Sequence, residues 1–252
     1  METRNMMKVL VLAGLLAFGL NLTAPAYSAT VLVDFGSNTS WGGVTTPSPD
    51  INGNYWNSVD SYAYFPDLVD INGNATTVDF GFATPGGTDS YNGPAGVTSN
   101  PPTPAEIAAT DIDAAALGNL GVNEAAMDFY TNSTFEIQGL DPTKTYNLTF
   151  YGSHKFGGIT TEYAVYTDNT YSTLVDSVTL DVTDAASPWL HNRDTVVTLT
   201  GLAPQTSNIL YVKFAGINDT EGYLNCMQID EVPEPATLAL LLAGGFFIRK
   251  RR

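Results

Sequence analysis

The chain has 252 residues, with 26 acidic against 10 basic side chains and a formal charge of −16. That balance repels nucleic acid and anionic lipid heads, so nucleic acid is excluded as a partner. The single cysteine, Cys226, rules out an intrachain disulfide framework.

The first segment, Met1–Leu22, places Arg4 and Lys8 ahead of an apolar stretch from Val9 to Leu20, followed by the small-residue run APAYSA. This is the order of a cleaved export signal. Ala29 is the expected last residue before the cut, and Ala24 and Ala26 offer a competing site. The apolar stretch is too short to be a permanent span, which needs about 20 residues. Residues 1–29 therefore read as a signal peptide with a helical apolar centre.

Between Thr30 and Glu231 only Lys144, Lys155, Arg193 and Lys213 are basic, against 24 acidic residues, a formal charge of −20. The segment reads as one β-domain of about 200 residues, long enough to hold itself together by burial alone. Thr30–Gly36 alternates, with Val31, Val33 and Phe35 on one face. Ala75–Thr84 repeats the pattern with Val78, Phe80 and Phe82. Then come STFEIQGL, KTYNLTFYGS, TEYAVYTD, DSVTLDVTD, DTVVTLTGL, NILYVKFAG and GYLNCMQIDEV, separated by Gly, Pro, Asn and Asp turns. Eight to nine strands at this spacing predict an all-β, antiparallel sandwich of jelly-roll type. Thr84–Pro104 reads as a long loop. The Ala-rich Thr103–Gly121 predicts one or two short helices near residues 104–118. GLDPTKTYNLTFYG from Gly139 and GLAPQTSNILYVKFAG from Gly201 read as one loop-to-strand device used twice.

Catalytic chemistry is not legible in this chain. The DFG at Asp34–Gly36 and the HNRD at His191–Asp194 stand in the wrong order for a kinase, and no glycine-rich loop precedes them. Only His154 and His191 are available for a triad, and no G-x-S-x-G is present. Carboxylates are too plentiful for any pair to stand out as a glycosidase acid and base. The expectation is a non-enzyme, with a glycoside hydrolase or esterase as the alternative.

No organic cofactor is expected, and structural calcium is the one candidate ion. Calcium takes six to eight hard oxygen ligands and tolerates loops. One candidate loop holds Asp67, Asp70 and Asn72, with Gly73 for a sharp turn; Asx-rich turns also form without metal. The second candidate pairs Asp34 on the first strand with Asp230 on the last, both facing away from their apolar neighbours. Sugar binding would use flat exposed rings. The candidate contacts are Trp41, Tyr55, Trp56 and Trp189, with Tyr62, Tyr64 and Tyr91 in similar loop-like contexts; taken singly, Trp56 and Tyr64 read more readily as caps on the core.

The last segment, Val232–Arg252, reads VPEPATLALLLAGGFFIRKRR. As a helix, Ala236–Ile248 would run about 20 Å, short of a hydrocarbon core of about 30 Å. Arg249, Lys250, Arg251 and Arg252 would stay cytoplasmic and leave the β-domain outside. The order Val232–Pro233–Glu234–Pro235, short apolar helix and basic tail resembles the PEP-CTERM sorting signal of Gram-negative bacteria. The resemblance implies recognition by an exosortase-type transpeptidase at a transient inner-membrane tether. It also implies cleavage near Pro233–Glu234–Pro235 and delivery to the cell surface or extracellular matrix. Asp128–Asp230 is similar to sandwich domains found beside such signals and to galactose-binding-like jelly rolls, through GLDPTKTYNLTFYGS, TEYAVYT and GYLNCMQIDEV. The expectation is a surface protein with a structural or carbohydrate-binding sandwich that meets extracellular polysaccharide. The alternatives are a polysaccharide-acting hydrolase and an architectural matrix protein without ligand.

Overall fold

A computed structural model describes residues 28–36, 43–90, 99, 101–154, 159–183, 191–217 and 221–232. The N-terminal signal helix, the C-terminal apolar helix, Pro233–Pro235 and the basic tail lie outside the described residues. Among those described, no helix is long and apolar enough to cross a membrane.

Two antiparallel sheets make the sandwich. The strands are β1 (Thr30–Phe35), β2 (Trp56–Val59), β3 (Tyr64–Phe65), β4 (Asp79–Thr84), β5 (Thr88–Ser90), β6 (Asp128–Thr131) and β7 (Ser133–Gln138), followed by β8 (Thr145–Tyr151), β9 (Thr160–Tyr166), β10 (Leu174–Asp181), β11 (Val197–Leu202), β12 (Leu210–Gly216), β13 (Tyr223–Leu224) and β14 (Cys226–Val232). One sheet runs β11-β8-β14-β1-β2, the other β10-β9-β12-β7-β4-β3, and a small third sheet runs β13-β6-β5. The first and last strands pair, Thr30 opposite Asp230 and Asp34 opposite Cys226. The β1–β2 pair is parallel, the one exception to the expected antiparallel order within these pairings.

Alternation builds the core. Val31, Val33, Phe35, Leu148, Phe150, Met227 and Ile229 of one sheet face Phe80, Phe135, Ile137, Tyr163, Val165, Val212 and Phe214 of the other. Phe150 stacks on Tyr163 across the interface, centroids 4.6 Å apart and planes within 7°. Each such side chain contributes about 1.5–3 kcal/mol by leaving water.

The outer side of the five-stranded sheet is also covered. Leu32, Trp56, Tyr151 and Cys226 pack against Leu117, Leu120, Val122, Ala125 and Ala126 in a second core. The cover comes from α2 (Ala114–Leu117), a 3-10 turn at Gly118–Leu120 and α3 (Asn123–Met127), preceded by α1 (Pro104–Ala108), which buries no residue. Thr103 starts α1 with a reciprocal capping box to Glu106, and Pro104 occupies the first turn. Asp113 caps α2 by accepting from the amides of Ala115 and Ala116. The helical region thus extends past the expected 104–118.

Strands β2, β3, β5 and β6 were not expected. They have two to four residues each, too few to display a period of two, and β5 lies in the segment read as loop. The echoed G-L-x-P segments do form the same device. Gly139 and Gly201 both take positive φ, +69° and +67°, and Leu140 and Leu202 are buried just after them. The first device leads from β7 to β8 and the second from β11 to β12, so each carries the chain from one sheet to the other.

Candidate carbohydrate-binding face

The sequence candidates for sugar contact do not converge. Trp56 is 4% exposed, and its indole N–H donates to Asp50 Oδ2 at 2.9 Å. It belongs to the second core, because its register partner is Leu32 on the helix-covered side of β1. Tyr55 is half-buried, with its ring against Gly73. Trp41 and Trp189 lie outside the described residues.

The calcium candidates separate as well. Asp70 Oδ1 accepts from the amides of Asn72 at 2.8 Å and Asn74 at 2.9 Å, and the Asn74 side chain reaches both carboxylate oxygens. Asp50 repeats the arrangement, accepting from Asn52 and Asn54. Both loops read DINGN, at 50–54 and 70–74, a duplication that the sequence displays and that folds twice into the same Asx turn. Asp67 takes φ 51° and donates its amide to Asp79 Oδ1 at 2.8 Å. Asp34 and Asp230 share a side of the sheet but stand four register positions apart, about 13 Å along the strands. Asp230 accepts from Thr30 and Gln228. Asp34 is buried, because the helices and the segment after residue 43 cover that end of β1.

The outer side of the six-stranded sheet is different. Its register places Tyr64 beside Gly81, Gly81 beside Glu136, Glu136 beside Tyr211, Tyr211 beside Tyr166 and Tyr166 beside Leu174. These positions alternate with the core residues and so point away from the core. The row crosses six strands, about 24 Å. Tyr171, from the β9–β10 turn, packs edge-on against Tyr166 at 5.8 Å and Tyr211 at 6.4 Å. Asp168 shapes that turn by accepting from the Thr170 amide and hydroxyl.

Polar groups frame the rings. Gln138 donates to Glu136 at 2.7 Å, and the Tyr64 hydroxyl donates to Asp79. That hydrogen bond pushes the Tyr64 phenol up to about 12. Burial pushes Tyr171 up to about 12 and raises Tyr166 and Tyr211 too, so these phenols stay neutral at physiological pH. Lys213 is the cation among strand residues on this side, against Asp79, Glu136, Glu162 and Asp181. Neutral rings with adjacent acceptors suit the apolar faces and hydroxyl rims of sugars. Tyr166, Tyr171, Tyr211 and Glu136 were missed from sequence. Their alternation with Tyr163, Val212 and Phe135 was visible, but their alignment depends on strand register.

Other clefts lie among the described residues, including one of about 350 Å³ between Asp50–Asn52 and Val122–Glu124, and two larger ones. One, of about 480 Å³, is lined by Asp181, Asn192, Arg193, Asp194 and threonines. Both of its aspartates are exposed, which lacks the dry pocket that holds a general acid protonated. The other, of about 430 Å³, includes Phe129, His154, Glu221 and Tyr223. His154 stacks on Tyr223 at 4.2 Å, and Glu221 is the one carboxylate among its lining residues.

No family model matches the chain, and no curated protein matches it. Among solved structures it is similar to a Bacteroides uniformis β-glucuronidase, at TM-score 0.42 and 10% identity over 81% of this chain and 18% of that one. It is also similar to an Arthrobacter globiformis T6 isomalto-dextranase complexed with panose, at TM-score 0.26 and 15% identity over 81% and 32% of the two chains. The chain spans about a third or less of either structure, and neither superposition is close enough to bear on function.

Proposed function

We propose that the protein is exported, tethered briefly at the inner membrane, cut by an exosortase-type transpeptidase and left at the cell surface or in the matrix. There it acts as a non-catalytic sandwich that binds extracellular polysaccharide along the outer side of the six-stranded sheet. The observation that carries the binding reading is the outward row of Tyr64, Glu136 and Tyr166; Tyr171 packs against Tyr166 and Tyr211, and Tyr211, 7% exposed, backs the row rather than offering a free ring. Such a face offers stacking surface and hydrogen-bond partners along a line, which matches an extended chain of sugars. Its acidic frame favours neutral or amino-bearing polymers over polyanions. The delivery reading rests on the two chain ends, whose charge and apolar patterns agree on topology.

The test is calorimetric titration of the purified protein with a neutral glucan, an amino-sugar polymer and a polyuronate. Saturable heat with either of the first two, reduced at least tenfold in affinity by Tyr166→Ala, is the expected result. No heat with any polymer would leave an architectural protein instead. Shortened polymer after incubation would replace binding by hydrolysis.

A further inference from the structure

Asp34 and Asp128 form a cluster that the sheet face does not use. Asp34 sits in register with Ser58 of β2 and Cys226 of β14, and Asp128 opens β6. They are 3% and 1% exposed. One short segment holds both: the Thr46 amide donates to Asp34 Oδ2 at 3.0 Å, and the Val44 amide to Asp128 Oδ2 at 3.4 Å. Ser58 Oγ adds a hydrogen bond to Asp34 Oδ2 at 3.1 Å. Gly36 closes over Asp128, where a Cβ would stand 2.2 Å from its Cγ.

The remaining oxygen of each carboxylate has no hydrogen-bond partner among the described residues. The hydroxyl of Thr46, 1% exposed, is close enough to the Asp34 carboxylate to act on it but makes no hydrogen bond of good geometry. The charged groups acting on the pair are themselves acidic: Glu124 on Asp34, and Asp34 on Asp128. Two neighbouring carboxylates in a dry interior need either a bound proton or a counter-cation. The hydroxyl beside them cannot supply that charge, but it can supply a third hard oxygen ligand.

We propose that Asp34 Oδ1, Asp128 Oδ1 and Thr46 Oγ1 bind a divalent cation of the calcium class, fastening the Val44–Thr46 segment and β6 to β1. Oxygen-only donors select a hard cation, and water or main-chain carbonyls complete its six to eight ligands. This site retains Asp34 from the sequence reading but replaces Asp230 with Asp128. With two carboxylates, the affinity belongs in the range of extracellular modules, a Kd of about 10⁻⁴–10⁻³ M.

The experiment strips the purified protein with chelator and titrates it with calcium chloride, reading heat and melting temperature. One calcium per chain and a melting temperature that rises with calcium are expected. Asp128→Asn should weaken binding at least tenfold, and so should Thr46→Val, which keeps the backbone amide. Asp70→Asn, in the Asx turn, should leave the affinity unchanged. No uptake up to about 10 mM calcium, well above that range, would overturn the proposal. So would uptake by Asp128→Asn and Thr46→Val as tight as that of the unsubstituted protein. Should Asp128→Asn fail to fold, Thr46→Val alone decides.

Discussion

Replacing Gly139 and Gly201 separately by alanine tests whether the two corner devices are alike in backbone but different in surroundings. Both residues hold positive φ, +69° and +67°, which costs an L-residue about 1–2 kcal/mol. At Gly201 nothing lies within 4 Å of an added Cβ, so that strain is the whole effect. At Gly139 the added Cβ would stand 1.9 Å from the Thr77 carbonyl oxygen. Relieving that overlap moves the turn before β4 away from β7. It also breaks the bond from Thr77 Oγ1 to the Gly139 carbonyl at 2.8 Å, worth about 0.5–1.5 kcal/mol. Gly139→Ala should therefore cost at least about 2 kcal/mol more than Gly201→Ala, a factor of roughly 30 in the folding equilibrium. Urea denaturation followed by tryptophan fluorescence reads both values. Equal losses, or a larger loss at Gly201, would refute the reasoning.

Other outcomes follow from single contacts. Asp70→Ala should cost about 1.5–3 kcal/mol in the same assay, because it removes the charged acceptor of the Asn72 and Asn74 turn amides; Asp70→Asn, which keeps one oxygen, should cost less than half of that. Cys226 is fully buried, with its thiol raised by burial and by Asp34 and Asp128. It should react with a thiol reagent only as fast as the protein opens, and reaction at the rate of a free thiol would contradict its placement. The Tyr64 phenol is held up to about 12 by its bond to Asp79. The folded state therefore keeps a proton that the unfolded chain releases near pH 10, and this contribution to stability is lost as pH rises from 10 through 12. Difference absorbance against Tyr64→Phe reads the ionisation, and Asp79→Asn should bring it down toward 10.

Local pattern and long-range arrangement divide this protein clearly. The alternation in β1, β7, β8, β9 and β12 was legible because a half-buried strand repeats every two residues, whatever it pairs with. The corner devices were legible because the glycines and prolines that turn the chain act locally. The export and sorting patterns also stand in the linear order of charge and apolar residues, with no folding needed to read them. Trp56 looked like a loop ring because a four-residue strand leaves too little period to detect. Asp34 was read only as facing away from its apolar neighbours, because alternation gives the side of a sheet but not what covers it; here the segment that carries Thr46 does. Asp128 was indistinguishable from the other acidic residues until β6 placed it under Gly36, beside Asp34. Likewise the tyrosine row exists only in the register of six strands, since residues 64, 136, 166 and 211 are brought into line by hydrogen bonds between segments far apart in the chain. Sequence by itself determined the longer strands and the corner turns, and it carries the residue order at the two ends on which the proposed delivery rests. Tertiary structure alone decided which side chains became neighbours, because pairing register and burial are properties of contacts between segments and not of any one segment.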